Sequence, residues 1–470
     1  MDRTEFLVLE ARFLAGTYGG TEWPPSPFRL LQAIVAGCRG ISVPGLEWLE
    51  QQPPPLILAT DEPKVASFRK SIPNNVNPAK PSEALSMRRV VHRRVDQPVW
   101  YCYRLHQAHD REAAKQVISA AERVHTLGTG VDMCAVNGTI TQHAPESNLA
   151  IRLWVPEDQT MQIVRFDSAL RLRVPIAGSL RSVEDRFQAF QRRLDGDDLG
   201  YARPVAAPAL HRIVGYRPSD ERPRTAVFAL CLTGIDDVRE LRRFPVEHAV
   251  VVAGMLRHAA MQFARTSAPD LADFASGYAP PTAPDCRMSW VPIPSVGHRN
   301  ADGLIRRGLW LSRACDADKL EILATMVPSS GVPLIDESTG ECLAMAAPVD
   351  LDEEPVLSHY TAAAHEWTSI TPIVLPGDYG GGNLRIMTKL LHKALREAGI
   401  DPGLLEGVEF SKTGFIRQAA SVGAVRLKAW KAKNLILYHL RLRFHRPIRG
   451  PVVLGRGRHF GLGLFCANPN

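Results

Sequence analysis

A row of cationic side chains at the spacing of a β-strand lies near the C-terminal end of the sequence. Residues 435–444 read LILYHLRLRF, in which His439, Arg441 and Arg443 alternate with leucine or phenylalanine. Because neighbouring side chains of a strand point to opposite faces of the sheet, this spacing predicts one buried apolar face and one displayed cationic face. Guanidinium and imidazole groups donate hydrogen bonds to phosphate oxygens. The row therefore predicts a surface that binds a polyanion.

A glycine-rich segment, GRGRHFGLGLF, follows at residues 455–465. Its glycines are Gly455, Gly457, Gly461 and Gly463. Such a loop can bring backbone N–H groups against phosphates, with Arg456, Arg458 and His459 as additional donors. The same glycines would also suit a tight hairpin turn without a ligand, and the local sequence leaves both interpretations open. A dinucleotide-binding motif is not expected, because that motif opens a helix and only seven residues follow the last glycine.

The net charge of +7 is concentrated in this same segment. Residues 410–470 contain twelve Lys and Arg and no Asp or Glu, so they carry +12 and the first 409 residues carry −5. A folded segment with such a bias repels itself unless it meets a polyanion, and nucleic acid is the usual one. The alternative, a solvated basic tail, is disfavoured by the strand periodicity.

The composition is that of an ordinary globular protein. The 470 residues are 45% hydrophobic and 22% charged, which indicates two to four domains with sizeable cores. The apolar runs are shorter than the ~20 residues of a membrane span, and the N-terminus has no signal-peptide core. The eight cysteines form no C-x-x-C pair. We expect a cytoplasmic protein without a membrane segment, metal site or cofactor.

Two strand-and-helix units are predicted to position these residues. Residues 5–13 alternate like a strand, and Ser26-Pro27 then caps and starts a helix. The same order recurs with a strand at 225–234 and a helix at about 245–263. The Pro- and Arg-rich stretch 204–224 between them is the best domain boundary, and the polar stretch 71–96 is predicted to be a mobile basic loop.

Several longer motifs carry a resemblance to a known family. They are EWPPSPFRLLQAIVAG (22–37), LEWLEQQPPPLIL (46–58), WVPIPSVGHRNADGLIRRGLWL (290–311), WTSITPIVL (367–375) and RPIRGPVVLGRGRHFGLGLF (446–465). Together they resemble the fused CRISPR RNA-processing subunit of type I-G (formerly I-U) systems, a member of the RAMP superfamily. The resemblance spans both ends and the middle of the chain.

The resemblance implies a fold, a division of labour and a reaction. The fold would be α+β, with tandem RRM-like (ferredoxin-like) domains and long insertions. Residues 1–220 would bind the 5′ handle of the CRISPR RNA (crRNA), and residues 221–470, as two such domains, would process the repeat. The reaction would be metal-independent attack of a 2′-hydroxyl on the adjacent phosphate, which needs a base, an acid and cations.

Histidines are the natural proton donors and acceptors for this reaction, because their ordinary pKa lies near neutral pH. His298 is the first candidate: it lies in a turn, after an apolar strand and close to Arg306 and Arg307, which are predicted to bind RNA. Its alternative is a turn histidine bonded to its own backbone or to Asp302. His258, on the first helix of the C-terminal half, is the second candidate. If neither acts, the search moves to Tyr278, His359, His365 or His459.

The expected partners are precursor and mature crRNA and the other subunits of the type I-G Cascade effector complex. The competing hypothesis is a crRNA-binding scaffold that does not cleave. It is favoured by a departure from the family pattern, since Cys286-Arg287-Met288 stand where histidines precede the Trp290-Val291-Pro292 motif in many members.

Overall fold

The structure, a computed structural model, divides the chain into two compact units. The first unit comprises Met1–Asp158 and Ala169–Arg222, and the second comprises Gln159–Ser168 and Pro223–Asn470. The residues that the structure describes are 5–20, 22–38, 40–61, 65–73, 85–143, 151–157, 163–167, 170–192, 205–208, 210–237, 239–277, 287–298, 300–351, 354–377, 383–425 and 436–467. Tyr278 and Cys286, which the sequence singled out, lie outside these residues.

The first unit is a seven-stranded antiparallel sheet with helices on one face, together with a small three-stranded sheet. Its elements are β1 (Glu5–Phe13), β2 (Thr17–Tyr18), α1 (Pro27–Cys38), α2 (Pro44–Gln51), β3 (Leu56–Ala59), β4 (Val65–Pro73), β5 (Leu85–Arg94), β6 (Val99–Leu105), α3 (Ala108–Ala121), β7 (Cys134–Thr141), β8 (Arg152–Pro156), β10 (Leu170–Val174), α4 (Ser179–Gln191) and β11 (Arg212–Pro218). The strand between β8 and β10 in chain order, β9 (Arg165–Phe166), belongs to the second unit.

Four strands of the large sheet have the ferredoxin-like order. In β3-β6-β1-β7 the strands stand in the order 2-3-1-4 of a βαββαβ unit, with α1 and α2 in the first crossover and α3 in the second. The predicted alternation of β1 is confirmed, since Leu7, Leu9 and Ala11 are buried in the core that the helices cover. Ser26 caps α1, because its Oγ accepts the Arg29 N–H at 3.3 Å.

The stretch predicted to be a mobile basic loop contains strands instead. β4 and β5 pair along nine residues, from Val65 opposite Arg93 to Pro73 opposite Leu85, and β5 also pairs with β2. The prediction was wrong because the sequence of this stretch has too few apolar residues at alternating positions to show the periodicity of a strand. Residues 74–84 between the strands lie outside the described part.

The second unit contains two further antiparallel sheets. Besides β9, its elements are β12 (Thr225–Thr233), α5 (Ala249–Ser267), α6 (Ala272–Ser276), β13 (Ser289–Pro294), β14 (Ile305–Arg313), α7 (Ala317–Met326), β15 (Val332–Ile335), β16 (Cys342–Pro348), α8 (Pro355–Thr361), β17 (Ala363–Ser369), α9 (Leu384–Glu397), β18 (Leu405–Ser411), β19 (His439–Arg449), β20 (Val452–Val453) and β21 (Leu464–Ala467).

Both sheets repeat the ferredoxin-like order. The first of them runs β13-β14-β12-β16, again 2-3-1-4, with α5 and α7 in the crossovers. The second runs β18-β19-β17-β21 with α9 in its first crossover. In its second crossover the glycine-rich segment stands where the other two sheets have a helix. The predicted α+β fold of tandem ferredoxin-like domains is therefore confirmed.

The two sheets of the second unit share a core. On β12, Phe228 and Leu230 face α5, whereas Val227 and Ala229 face a second core that also contains residues of β21 and α8. On the far side of the last sheet, α9 covers a further core built on β19. Each sheet thus has one face toward its helices and one toward the other sheet, so α5 and α8 lie on opposite faces of the β13-β14-β12-β16 sheet.

Candidate functional site

Two histidines come together beside the end of β13. His298 lies in the loop from β13 to β14 and is exposed, and His359 lies on α8 and is half-buried. Their ring centroids are 6.3 Å apart and their planes are 25° from parallel. The Nε2 atom of His298 is 2.8 Å from Ser295 Oγ. A pair of imidazoles, one open to solvent and one partly shielded, is the result.

The loop that carries His298 has a defined backbone. Ser295 and Gly303 pair across it, because the Gly303 N–H donates to the Ser295 carbonyl at 2.9 Å and the Ser295 N–H donates to Leu304 at 3.0 Å. Gly297 has φ +79°, and a Cβ there would lie 2.9 Å from His359 Nδ1. Glycine is therefore required both for the backbone conformation and for the approach of His359.

The position of His359 is fixed from α8. Tyr360, the next residue, is fully buried and donates from its hydroxyl to the Pro294 carbonyl at 2.7 Å. Burial lowers the pKa of His359 below its ordinary value, and the neighbouring charge of His298 lowers it further. His359 is therefore neutral at neutral pH and able to accept a proton.

The Arg306-Arg307 pair adjoins this loop, but both side chains are engaged by carboxylates. Arg306 makes two hydrogen bonds to Asp302, at 2.8 and 2.6 Å, and this pairing holds the pKa of Asp302 down at about 2. Arg307 pairs with Glu354, and its side chain is only 11% exposed. Asp302 thus binds Arg306 and not His298, contrary to one alternative considered for His298.

His258 lies in a different place from the other two histidines. Its Nδ1 atom is 2.9 Å from Glu337, in the turn between β15 and β16. It is on α5, on the face of the sheet opposite to α8. The structure therefore pairs His298 with His359 and not with His258.

The segment between β18 and β19 connects the histidine loop to the cationic strand. The Gln418 side chain donates to the Ala301 carbonyl at 3.3 Å, three residues after His298. Phe415, three residues before Gln418, lies under the guanidinium of Arg441 at 4.6 Å. A short stretch of chain thus spans from the histidine pair to Arg441.

The alternation predicted for β19 is confirmed for its apolar side, where Leu440, Leu442 and Phe444 are buried. The prediction that His439 is displayed with the arginines is wrong. His439 is fully buried, and its ring nitrogens contact Ser369 Oγ at 3.0 Å and the Ala420 carbonyl at 2.8 Å. Burial lowers its pKa. Other segments of the same chain, at Ser369 and Ala420, cover that end of the strand. The sequence of the strand itself does not show this.

The two arginines of the row are accessible but have acidic neighbours. Arg441 is 32% and Arg443 56% exposed. Glu409 of β18 lies 3.5 Å from Arg441 and 3.9 Å from Arg443, and Glu366 of β17 lies 3.7 Å from Arg441. The absence of acids after Glu409 in sequence therefore does not leave this face uncompensated, because adjacent strands supply carboxylates.

The glycine-rich segment is packed against its own unit. Gly455, Gly461 and Gly463 have φ values of +88°, +81° and +68°, and a Cβ at each would lie within 2.6 Å of a backbone carbonyl oxygen. Five of its N–H groups donate to backbone carbonyls: those of Arg456, Arg458, Phe460, Leu462 and Gly463. Gly457 is also buried, against Leu462. These contacts favour the packing interpretation over the phosphate-binding one.

The cationic and imidazole side chains of this segment differ in their exposure and their partners. His459 is 8% exposed and bonded to Ser289 Oγ at 2.6 Å, and burial lowers its pKa to about 3. Arg458 binds Glu397 at 3.1 Å and is 13% exposed. Arg456 is exposed. The prediction that His459 is available to RNA is therefore wrong, and Arg456 is the residue of this segment that remains displayed.

The comparison with family models decides the family. The model described as CRISPR-associated protein, GSU0054 family, matches residues 3–467. The chain belongs to this CRISPR-associated family. A search of curated proteins gives no significant match.

Two solved structures are similar to parts of the chain. A CRISPR protein from Archaeoglobus fulgidus is 11% identical, and the match covers 47% of this chain and 95% of that one with a TM-score of 0.20. Cas6 from Thermus thermophilus is 14% identical, with 52% and 98% covered and a TM-score of 0.24. These scores are low, so the fold assignment rests on the strand order of the GSU0054-family chain itself.

Two further observations concern ligands and membranes. Among the described residues, no group of three or more His, Cys, Asp or Glu side chains is arranged to hold a metal ion. No helix in the described part is long and apolar enough to cross a membrane.

The sequence did not predict that His298 and His359 lie together. His359 was named only as a candidate in case neither His298 nor His258 acts. The two residues are 61 positions apart and share no motif. The sequence feature that could have indicated a second side chain near His298 was Gly297, since a glycine beside a candidate histidine permits close approach of another side chain.

Proposed function

We propose that this protein cleaves precursor crRNA within the repeat and retains the mature crRNA as a subunit of a type I-G effector complex. The observation that carries the proposal is the His298–His359 pair, whose loop is linked to Arg441 of β19 by the contacts of Gln418 and Phe415. Membership of a CRISPR-associated family gives the RNA context. The similarity of the sequence to the fused processing subunit supports assigning the 5′ handle to the first unit and the repeat to the second.

The geometry suits an acid and a base acting on one phosphodiester. The centroid separation of 6.3 Å exceeds the ~3.5–4 Å of rings in contact. Ring nitrogens form hydrogen bonds in the plane of the ring, so different oxygens of one phosphodiester, lying along the edges of the two rings, would bind them at about 2.7–3.0 Å. Both rings can then reach the same phosphate.

In the proposed step, neutral His359 removes the proton of the 2′-hydroxyl as its oxygen attacks the adjacent phosphorus. The bond from phosphorus to O5′ breaks, and His298, acting as the acid, gives a proton to O5′. The products are a 2′,3′-cyclic phosphate and a 5′-hydroxyl. The reaction also needs cations that stabilise the negative charge developing on the phosphate oxygens, and we assign this role to Arg441 and Arg443 of β19.

The test is cleavage of the cognate repeat RNA by the purified full-length protein in EDTA, with the product ends identified. His298→Ala and His359→Ala should each slow cleavage by about 10²- to 10⁴-fold, the usual worth of a positioned proton-transfer group. RNA binding should persist, because phosphate contacts dominate the affinity. His109→Ala, at an exposed histidine of the first unit, is the matched control and should have no effect.

Full activity of both variants would refute the assignment of the pair. If the wild-type protein binds the repeat and leaves it intact, the non-cleaving crRNA scaffold is the correct function.

A further inference from the structure

Helix α9 displays a line of cationic side chains. Arg385, Lys389, Lys393 and Arg396 are exposed, and their spacing of four, four and three residues keeps them on one face of the helix. At a rise of about 1.5 Å per residue, this α9 stripe extends for roughly 16 Å. The α9 stripe lies outside β19 and the glycine-rich segment, the cationic features that the sequence indicated.

The helix is held so that the stripe faces outward. Its opposite side carries Met387, Leu391, Ala394 and Leu395, which are buried in the core beneath the last sheet. The stripe is therefore a fixed surface of the folded unit.

The stripe lacks the carboxylates found beside the other arginines. Within the described part of the chain, none of its four side chains forms an ion pair. Glu397, the one acidic residue of α9, binds Arg458 at 3.1 Å instead. By contrast, Arg306, Arg307 and Arg441 each have a carboxylate within 4 Å. The charge of the α9 stripe is left for an external partner.

Helix stability does not explain the stripe. A cation in the last turn stabilises the helix dipole, which accounts for Arg396. Arg385 lies in the first turn, where a cation opposes the dipole, and that turn contains no acidic residue. The helix dipole therefore does not account for Arg385.

We propose that the α9 stripe binds the phosphate backbone of a base-paired RNA stem. The proposal rests on the proposed function, which supplies RNA as the ligand, and it names the part of the RNA involved. Proteins that hold unpaired strands stack bases on aromatic side chains, and α9 contains no Phe, Tyr or Trp. A line of long cationic side chains without a stacking surface matches a duplex, whose bases are enclosed and whose phosphates form rows.

The experiment measures binding of full-length protein to a labelled RNA hairpin and to a single strand of the same length, as a function of salt. The test variant combines Arg385→Gln, Lys389→Gln, Lys393→Gln and Arg396→Gln; glutamine is a good helix former, so α9 should persist. The control variant changes the net charge equally in the first unit, with Arg12→Gln, Arg104→Gln, Arg111→Gln and Lys115→Gln.

The test variant should bind the hairpin at least ~10-fold more weakly than wild type, with a salt dependence shallower by about 0.7–0.9 per lost contact. Its affinity for the single strand and its melting temperature should change little. Arg385→Lys with Arg396→Lys, which keeps the charge, should bind the hairpin like wild type, and so should the control variant.

An unchanged hairpin affinity and salt slope in the folded test variant would overturn the proposal. An equal loss for hairpin and single strand would also overturn it, as would a loss of subunit assembly with intact RNA binding, which would assign the stripe to a protein. A failure of the proposed cleavage function is distinguishable from a failure of this proposal. The wild-type protein would then leave the repeat RNA intact in the cleavage assay, whereas the loss of hairpin binding in the test variant would still be observed.

Discussion

At the scale of single residues, the consequence of the His298–His359 pair is an electrostatic effect of His298 on the pKa of His359. The pKa of His359 lies below its ordinary value chiefly because the ring is half-buried, and secondly because His298 is nearby. A lowered pKa keeps His359 neutral, and thus able to act as a base, at pH values somewhat below 6.5. The cleavage rate should therefore persist into mildly acidic solution before it falls.

This coupling can be measured directly by an NMR titration of the His359 ring. In His298→Gln the neighbouring positive charge is removed, so the pKa of His359 should rise toward its ordinary value without reaching it, because the burial remains. His109→Gln should leave the titration unchanged. A His359 pKa that stays fixed or falls in His298→Gln would show that the two rings do not interact.

At the scale of elements, β19 is a cationic strand whose positive charge is partly compensated by carboxylates on the adjacent strands. Arg441 and Arg443 face the carboxylate of Glu409 on β18, at 3.5 and 3.9 Å. Arg441→Gln with Arg443→Gln should weaken RNA binding and reduce the slope of log affinity against log salt by about 0.7 per lost single-strand contact. Filter binding or fluorescence anisotropy at several salt concentrations measures this slope.

Glu409→Gln provides the opposite change on the same surface. Removing the Glu409 carboxylate leaves Arg441 with only Glu366 nearby among the described residues and removes the acidic neighbour of Arg443, so affinity should rise. If the double arginine variant kept the wild-type slope while folded, or if Glu409→Gln lowered affinity, β19 would not be an RNA-binding strand.

The elements also show how far sequence reasoning extends. Periodicity predicted β1, the start of α1 and the buried side of β19, because each of these patterns depends on one sheet or helix face. A continuous apolar run predicted β12, which is buried on both faces. Periodicity failed for His439 and His459, since both are covered by segments distant in sequence. Local patterns contain no information about which face a later segment will cover.

The same limit applies to charge. Counting residues placed the cationic surface after Glu409, but β17 and β18 bring Glu366 and Glu409 to that surface. Among the described residues, α9, which precedes the segment that the count selected, carries four exposed cations without an ion pair. Charge along the sequence and charge on a surface differ wherever antiparallel strands bring separate segments together.

At the scale of the whole molecule, the second unit is assembled from two separate parts of the chain. Strand β9 pairs with Ala226 and Val227 of β12, beyond the end of the pairing with β16. Asp167, just after β9, accepts the N–H groups of Arg224 and Thr225 at 2.9 and 3.1 Å. A single boundary near residue 220 therefore does not separate the two units, because residues 159–168 belong to the second unit.

The buried contact between Asp167 and Arg224 makes this arrangement testable. The Asp167 side chain is 1% exposed, and its Oδ2 lies 2.8 Å from the Arg224 guanidinium. Asp167→Ala leaves this arginine without its buried carboxylate and removes two backbone hydrogen bonds, so the second unit should lose about 3 kcal/mol of stability. Hydrogen–deuterium exchange in peptides that cover β12 should become faster. Asp220→Ala, at a 64% exposed carboxylate paired with Arg152, should leave β12 exchange unchanged.

A fragment that begins at Pro223 should show the same weakness, because it lacks β9, Asp167 and the buried Val164. A fragment that begins at Gln159 contains all three. The longer fragment should unfold at a higher urea concentration than the shorter one, and its β12 amides should exchange more slowly. Equal unfolding midpoints and equal exchange would mean that the segment 159–168 is only attached to the second unit and contributes nothing to its stability.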